Sequence, residues 1–317
     1  MSTLSSSGPS SGSQPVPPHP PEPPKRLVER DLWGHTVADP YHWMRERENP
    51  EVLAHLEAEN AFTESALEPT VQLQQTIFDE IKARVKETDL SVPVVKDGWS
   101  YYVRTEEGDQ YPFHCRQKVL DDGSLGDEQV ILDENLEAVA SESDYFEIGV
   151  FEVSPDHNLL AWAVDRAGDE RFRLTIRDLR TGEEFDDVIE GVSYGSAWST
   201  DNQTLFYVRP DDANRPHQIW RHRLGTDVSA DVLVFTEDDE RFFCGLGRDK
   251  DDSFLYIGCS SAITDEVWLL EAERPEAEFR CVQPREIGVE YAVMHHEDQF
   301  LVLTNVDAEN FRVMTAP

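Results

Sequence analysis

Positive charge is scarce in this sequence of 317 residues. It has 28 lysines and arginines against 64 aspartates and glutamates, which gives a net charge of −36, and only 6 of the 28 cations are lysine. Contacts with nucleic-acid phosphates and anionic lipids depend on lysine and arginine. The balance therefore argues against a nucleic-acid partner and against an anionic membrane surface.

Cysteines and long apolar runs are also few. The longest uninterrupted apolar run, Leu159–Val164, is far shorter than the roughly 18 residues of a membrane span. The four cysteines form no C-x-x-C pair and no disulfide framework, and they are expected to be buried free thiols: Cys115, Cys244, Cys259 and Cys281. With 39% apolar residues, the chain can still form a sizeable core. These features predict a soluble, cytoplasmic protein.

The acidity itself has more than one explanation. A surface rich in aspartate and glutamate resembles that of proteins working at high salt, and a negative field also concentrates cationic substrates. A solvated surface tuned for solubility explains the same composition. Charge alone does not decide among these interpretations.

The N-terminal region divides into a tail and a helical segment. Residues 1–24 hold 7 serines and 8 of the 19 prolines and lack the pattern of a signal peptide, so they are expected to be a flexible, disordered tail. Further on, Asn49 and Pro50 form a helix start. Pro69 is predicted to open a second helix, whose apolar face repeats every four residues at Leu73, Ile77, Ile81 and Val85. Both amphipathic helices require a larger surface to cover them.

After Thr88 the apolar period falls to two residues, which predicts short strands, and no helix-length periodic segment follows. Trp99–Thr105 and Tyr111–Gln117 are predicted to pair as a β-hairpin. Turns of similar chemistry then recur before apolar strands, and their aspartates are 45, 50 and 47 residues apart: Asp156, Asp201, Asp251 and Asp298. A period of 45–50 residues with short antiparallel strands is typical of a β-propeller with one four-stranded blade per period.

The predicted fold is therefore mainly β: an incomplete β-propeller, with about five blades visible, preceded by two N-terminal helices. The predicted division is a disordered tail at 1–24, a helical segment at 25–88 and a partial propeller at 89–317. The last blade shows about three strands, so we expect an open edge strand that recruits other chains and causes self-association.

Two motifs resemble the nucleophile elbow G-x-S-x-G of serine hydrolases. The first, around Ser10, falls in the predicted tail, and the second, around Ser193, is followed by a strand and turn of the blade repeat. An elbow requires a strand that turns sharply into a helix, so Ser193 is interpreted as a residue connecting two blades.

No metal or phosphate site is predicted either. His295 and His296 are adjacent on a strand and point to opposite faces, so both cannot easily reach one ion. The acidic clusters at 121–122, 237–240 and 249–252 are interpreted as solvated turns, and no glycine-rich phosphate-binding motif occurs. The sequence thus predicts no catalytic, cofactor-binding or metal-binding residue and no cofactor.

Several motifs carry a resemblance to the prolyl oligopeptidase family of serine peptidases. These are DPYHWMR at 39–45, NPEVL at 49–53 and LEAEN at 56–60, which resemble the family's N-terminal signature. RTEEG at 104–108, with QYP at 110–112 and Arg116, is similar to the oligopeptidase B branch. The resemblance runs from about Arg26 to the end of the sequence.

The resemblance implies a seven-bladed propeller that caps an α/β-hydrolase domain and admits only short peptides. The catalytic Ser-Asp-His residues would belong to that hydrolase domain, which is absent from this sequence, so none of them is assigned and the chain alone is expected to be inactive. The intact protein would hydrolyse short, cationic peptides after Arg or Lys. Two other interpretations remain: a free-standing propeller that binds peptides or other partners, and one half of a split peptidase whose hydrolase domain is a separate chain.

Overall fold

The computed structural model describes residues 19–140 and 143–317, so the predicted tail and the Ser10 motif fall largely outside the described residues. The chain forms two compact units, Met1–Lys86 and Glu87–Pro317. Neither unit, over the residues described, contains a helix with the length and apolarity of a membrane span.

The first unit contains a β-hairpin and two helices. Strands β1 (Val28–Leu32) and β2 (His35–Asp39) pair antiparallel and are followed by α1 (Pro50–Leu67) and α2 (Val71–Lys82). The predicted helix start is confirmed, because Asn49 accepts a hydrogen bond from the backbone N–H of Glu51 and Pro50 opens the helix.

Two details of this unit differ from the prediction. The hairpin was not expected, because its strands are mostly exposed and show no alternating apolar face. Pro69 does not open the second helix: it lies in a short 3₁₀ turn, Glu68–Thr70, and α2 begins at Val71. The apolar face of α2 is largely exposed, with exposed fractions of 48–59% at Leu73, Ile77, Phe78 and Ile81.

Over its described residues, 87–140 and 143–317, the second unit consists of five antiparallel sheets in chain order, which we call blades 1 to 5. Blade 1 contains β3 (Asp89–Leu90), β4 (Val94–Lys96), β5 (Trp99–Thr105), β6 (Phe113–Val119) and β7 (Leu125–Asp133). A short helix, α3 (Glu134–Ala140), follows it. Blade 2 contains β8 (Glu147–Val153), β9 (Leu159–Asp165), β10 (Phe172–Asp178) and β11 (Glu184–Val192).

The remaining blades follow the same pattern. Blade 3 contains β12 (Ser196–Trp198), β13 (Thr204–Pro210), β14 (Pro216–Arg223) and β15 (Val232–Thr236). Blade 4 contains β16 (Phe243–Arg248), β17 (Phe254–Ser260), β18 (Asp265–Glu271) and β19 (Arg280–Cys281). Blade 5 contains β20 (Tyr291–His296), β21 (Gln299–Thr304) and β22 (Arg312–Ala316). The prediction of an incomplete, mainly β propeller after two helices is confirmed.

The turn between β4 and β5 in blade 1, and the turn between the first two strands in each of the other blades, explain the repeat seen in the sequence. Each turn places one residue in the left-handed region, with φ between 48° and 62°, at Asp97, His157, Asn202, Asp252 and Glu297. Asparagine and aspartate tolerate this conformation better than most residues. In blades 2 to 4 the preceding aspartate also accepts a hydrogen bond from the backbone N–H two residues later, as in an Asx turn.

The core lies mainly between neighbouring blades. Trp198, for example, is fully buried between blades 2 and 3, and its indole N–H donates to the carbonyl oxygen of Glu152 over 3.1 Å.

The prediction of four free cysteines is confirmed, although Cys281 is only partly buried, unlike the other three. Helix α3 was not predicted, because its seven residues are too few to show helical periodicity.

Candidate functional site

The turns at one end of the blades converge on a small group of charged side chains. Lys96, at the end of β4, places its ammonium nitrogen 2.9 Å and 2.7 Å from the two carboxylate oxygens of Asp252, in the turn after β16. These residues belong to blades 1 and 4, which blades 2 and 3 separate in chain order. Blades that are not neighbours in a radial arrangement meet only near its axis, so this contact marks the axis.

Two further charged residues complete this group, which we call the axial cluster: Lys96, Glu152, Arg248 and Asp252. Arg248, the last residue of β16, lies 2.8 Å from Asp252 through its Nε, and within the part of the chain that the structure describes its buried Nη1 has no hydrogen-bond partner. Burial raises the pKa of the Glu152 carboxyl to about 7, with Asp252 adding to the rise and Arg248 and Lys96 opposing it. The cluster therefore holds a lysine, an arginine, an aspartate and a glutamate whose pKa is raised to about 7.

Replacing Glu152 with glutamine is expected to stabilise the chain at pH 8 by roughly 1–3 kcal/mol. Because the folded-state pKa of Glu152 is raised from 4.5 to about 7, the native protein loses stability as pH rises through this window. The glutamine variant has no such loss, so its advantage in urea-unfolding free energy grows between pH 4.5 and 8. Glu183→Gln, at an exposed position of blade 2, is the control and should leave the pH profile unchanged.

Ser193, His222 and His295 are not members of the axial cluster. Ser193 is buried between β11 and β12, its backbone N–H donates to the carbonyl oxygen of Val208, and a strand rather than a helix follows it. His222 lies in β14 between two aspartates, and His295 in β20 contacts the turn of blade 4. None of these contacts pairs a serine hydroxyl with a histidine that could act as its base.

The axial cluster was missed in the sequence because its members belong to different repeats. Lys96 is the last residue of β4 and Arg248 is the last residue of β16. Each is followed directly by an aspartate of the turn. That shared position is visible when the repeats are compared, and the scarcity of lysine makes Lys96 unusual. The ion pair across the axis nevertheless depends on how the blades come together, which no local pattern shows.

Comparison with known proteins agrees with this fold. The prolyl oligopeptidase N-terminal β-propeller domain matches residues 20–317. Dipeptidyl aminopeptidase BI of Pseudoxanthomonas mexicana is 39% identical over 295 residues, covering 88% of this chain and 40% of that protein. Protease 2 of Moraxella lacunata is 34% identical over 291 residues, covering 90% of this chain and 42% of that protein.

Solved structures give the same result. Oligopeptidase B from Leishmania major superposes with a TM-score of 0.85 at 28% identity, covering 94% of this chain and 44% of that one. Oligopeptidase B from Trypanosoma brucei, with covalently bound antipain, gives a TM-score of 0.81 at 32% identity, covering 93% of this chain and 44% of that one. The chain thus spans about two fifths of the length of the curated relatives it matches, at 40% and 42%. It belongs to the prolyl oligopeptidase family of peptidases, of which residues 20–317 are the N-terminal β-propeller domain.

Proposed function

We propose that this propeller restricts access to the active site of a serine oligopeptidase, so that the whole protein cleaves short peptides and spares folded proteins. The observation that carries the proposal is the Lys96–Asp252 ion pair, which joins blades 1 and 4 at distances of 2.7 and 2.9 Å. A direct ion pair across the axis leaves no passage for a folded domain at that point. Two other observations support the wider assignment: the family match and the exposed apolar face of α2, which a hydrolase domain would cover.

We further propose short, cationic peptides as substrates, cut after Arg or Lys. The net charge of −36 favours the approach of cationic peptides, and the oligopeptidase B structures are among those most similar to this chain. A second candidate is the removal of dipeptides from free N-termini, because a relative 39% identical is named a dipeptidyl aminopeptidase. Chromogenic substrates with a blocked Arg and with a free N-terminal dipeptide separate the two activities.

The access proposal is tested in a full-length protein that carries this propeller together with a hydrolase domain. Lys96→Ala removes the ion pair across the axis, and we expect the cleavage rate of a long unfolded substrate, such as reduced casein, to rise relative to that of a short Arg-blocked peptide. The matched control is Lys250→Ala, on an exposed lysine of the same blade 4 turn. An unchanged ratio in Lys96→Ala, or an equal rise in the control, contradicts the proposal.

The 317-residue chain alone is expected to release no product from either substrate and not to react with a fluorophosphonate probe. Restoration of activity by a separately expressed hydrolase domain would favour a split peptidase. Peptide binding without any catalytic partner would favour a free-standing binding propeller. Labelling of Ser193 would contradict the assignment of catalysis to residues outside this chain.

A further inference from the structure

His295 of blade 5 reaches across to the turn of blade 4. Its Nδ1 lies 2.7 Å from a carboxylate oxygen of Asp251. The imidazole packs against the rings of Phe254 and Phe300, with centroid distances of 5.0 and 5.1 Å. These aromatic contacts, one on each blade, fix the position of a nitrogen ligand beside an acidic turn.

Asp249 provides a second, independent feature at the same place. Its Oδ1 accepts a hydrogen bond from the backbone N–H of Phe254 over 3.1 Å, whereas its Oδ2 is buried and, among the described residues, no N–H or O–H group donates to it. A buried carboxylate oxygen without a donor is costly, so such an atom indicates a missing proton or cation. The nearby cations Lys96 and Arg248 do not supply it, since both bind Asp252 instead.

We propose that Asp249, Asp251 and His295 bind one divalent transition-metal ion, of which Zn²⁺ is the best match. One ligand atom from each residue lies within 4.8 Å of the others. Ligands at the usual Zn–N and Zn–O distances of about 2.0–2.2 Å are separated by roughly 3.5 Å, which small side-chain rotations achieve. The ion takes the place of the proton between His295 and Asp251, and that proton is released to solvent.

The donor set also distinguishes between classes of metal ion. One imidazole nitrogen with two carboxylates suits Zn²⁺ and neighbouring transition metals, whereas Ca²⁺ and Mg²⁺ prefer six or more oxygen ligands including water. Three protein ligands leave a fourth position for water. The ion would connect the blade 4 turn to the first strand of blade 5.

The two adjacent histidines of β20 do not share the proposed ion, in keeping with their alternation along the strand. Only His295 faces the blade 4 turn, and His296, the next residue of β20, is exposed. His296 therefore provides a matched control: it has the same side chain and the same strand, and it points away from the proposed ligands.

The test is zinc binding by the tag-free chain after treatment with a chelator, followed by isothermal titration and thermal unfolding with ZnCl₂. We expect one zinc per chain and a rise in unfolding temperature, with no rise for MgCl₂ at equal concentration. His295→Ala and Asp249→Asn should each weaken zinc binding by at least about tenfold, and His296→Ala should not. Cobalt in place of zinc should give visible absorption bands that His295→Ala abolishes.

Asp249→Asn keeps the shape of its side chain, so it tests the site even if His295→Ala unfolds. The proposal fails if the native chain binds no zinc at one equivalent, or if His296→Ala weakens binding as much as His295→Ala. It also fails if Asp249→Asn binds zinc as tightly as the native chain. The binding assay needs no peptidase activity, so its result is independent of the proposed function.

Discussion

Replacing His222 with glutamine is expected to lower the free energy of unfolding by about 3–5 kcal/mol. The imidazole is fully buried, its Nδ1 is hydrogen-bonded to Asp231 at 2.7 Å, and its Nε2 lies 3.3 Å from Asp187. Asp187 comes from blade 2, whereas His222 and Asp231 belong to blade 3. Without the imidazole, the carboxylates of Asp187 and Asp231 stay buried at the interface between blades 2 and 3. Both lose the side chain that contacts them.

The remaining partners do not replace the imidazole. Asp231 also accepts a hydrogen bond from the hydroxyl of Tyr207, and Asp187 accepts one from the backbone N–H of Gly225. These two hydrogen bonds are already present in the native chain, so they do not compensate for the loss of the imidazole. His217→Gln, the same substitution on the same strand, is the control and should change the urea midpoint little. A loss below 1 kcal/mol for His222→Gln would show that the interface does not depend on this contact.

The strand repeat could be predicted from the sequence because its signal is local. Each turn aspartate of the repeat is followed within three residues by the start of a strand, namely β9, β13, β17 and β21. The helix start at Asn49 was likewise visible, because capping involves residues adjacent in sequence. Helix α3 was missed, although Asp133 accepts hydrogen bonds from the backbone N–H groups of Asn135 and Leu136, as a cap does.

The candidate sites could not be predicted because their residues are far apart in sequence. Lys96 and Asp252 are 156 positions apart, and His295 and Asp251 are 44 apart. Their approach depends on the angle between blades, which side-chain packing over the whole unit determines. The sequence assigned the acidic turn of blade 4 to solvent, but the structure connects that turn to two neighbouring features: Asp252 to the axis and Asp251 to blade 5.

Ionic contacts recur where one blade meets the next. Arg285, in the loop after β19, donates through Nη2 to Glu266 at 2.7 Å and also to Glu237. Glu237 follows the last strand of blade 3, and Glu266 lies in β18 of blade 4. The guanidinium also stacks over the ring of Phe242, 3.9 Å from its centroid. A single arginine thus joins two blades by charge and by packing, and His222 joins the preceding pair through its contacts with Asp231 and Asp187.

Arg285→Met is therefore expected to lower the free energy of unfolding by about 2–4 kcal/mol at pH 7, because Glu237 and Glu266 are only 6% and 9% exposed. This expected loss of unfolding free energy is smaller than the loss on removing one partner of a fully buried ion pair, because the arginine is 27% exposed. Methionine retains most of the apolar stem, so the change reports mainly on the charge. Arg241→Met, at an exposed arginine paired with Asp239, is the control and should cost little.

The same variant has a distinct pH dependence. Burial raises the pKa of Glu266, but the hydrogen bonds from Arg285 outweigh it and keep that pKa below its ordinary value. A carboxyl with a lowered folded-state pKa contributes stability above its unfolded pKa and loses it as pH falls through the folded pKa. The difference between the native chain and Arg285→Met should therefore be largest near neutral pH and shrink in acid. A difference that stays constant from pH 7 to pH 3 would mean that the arginine acts by packing on Phe242 rather than by pairing with Glu266.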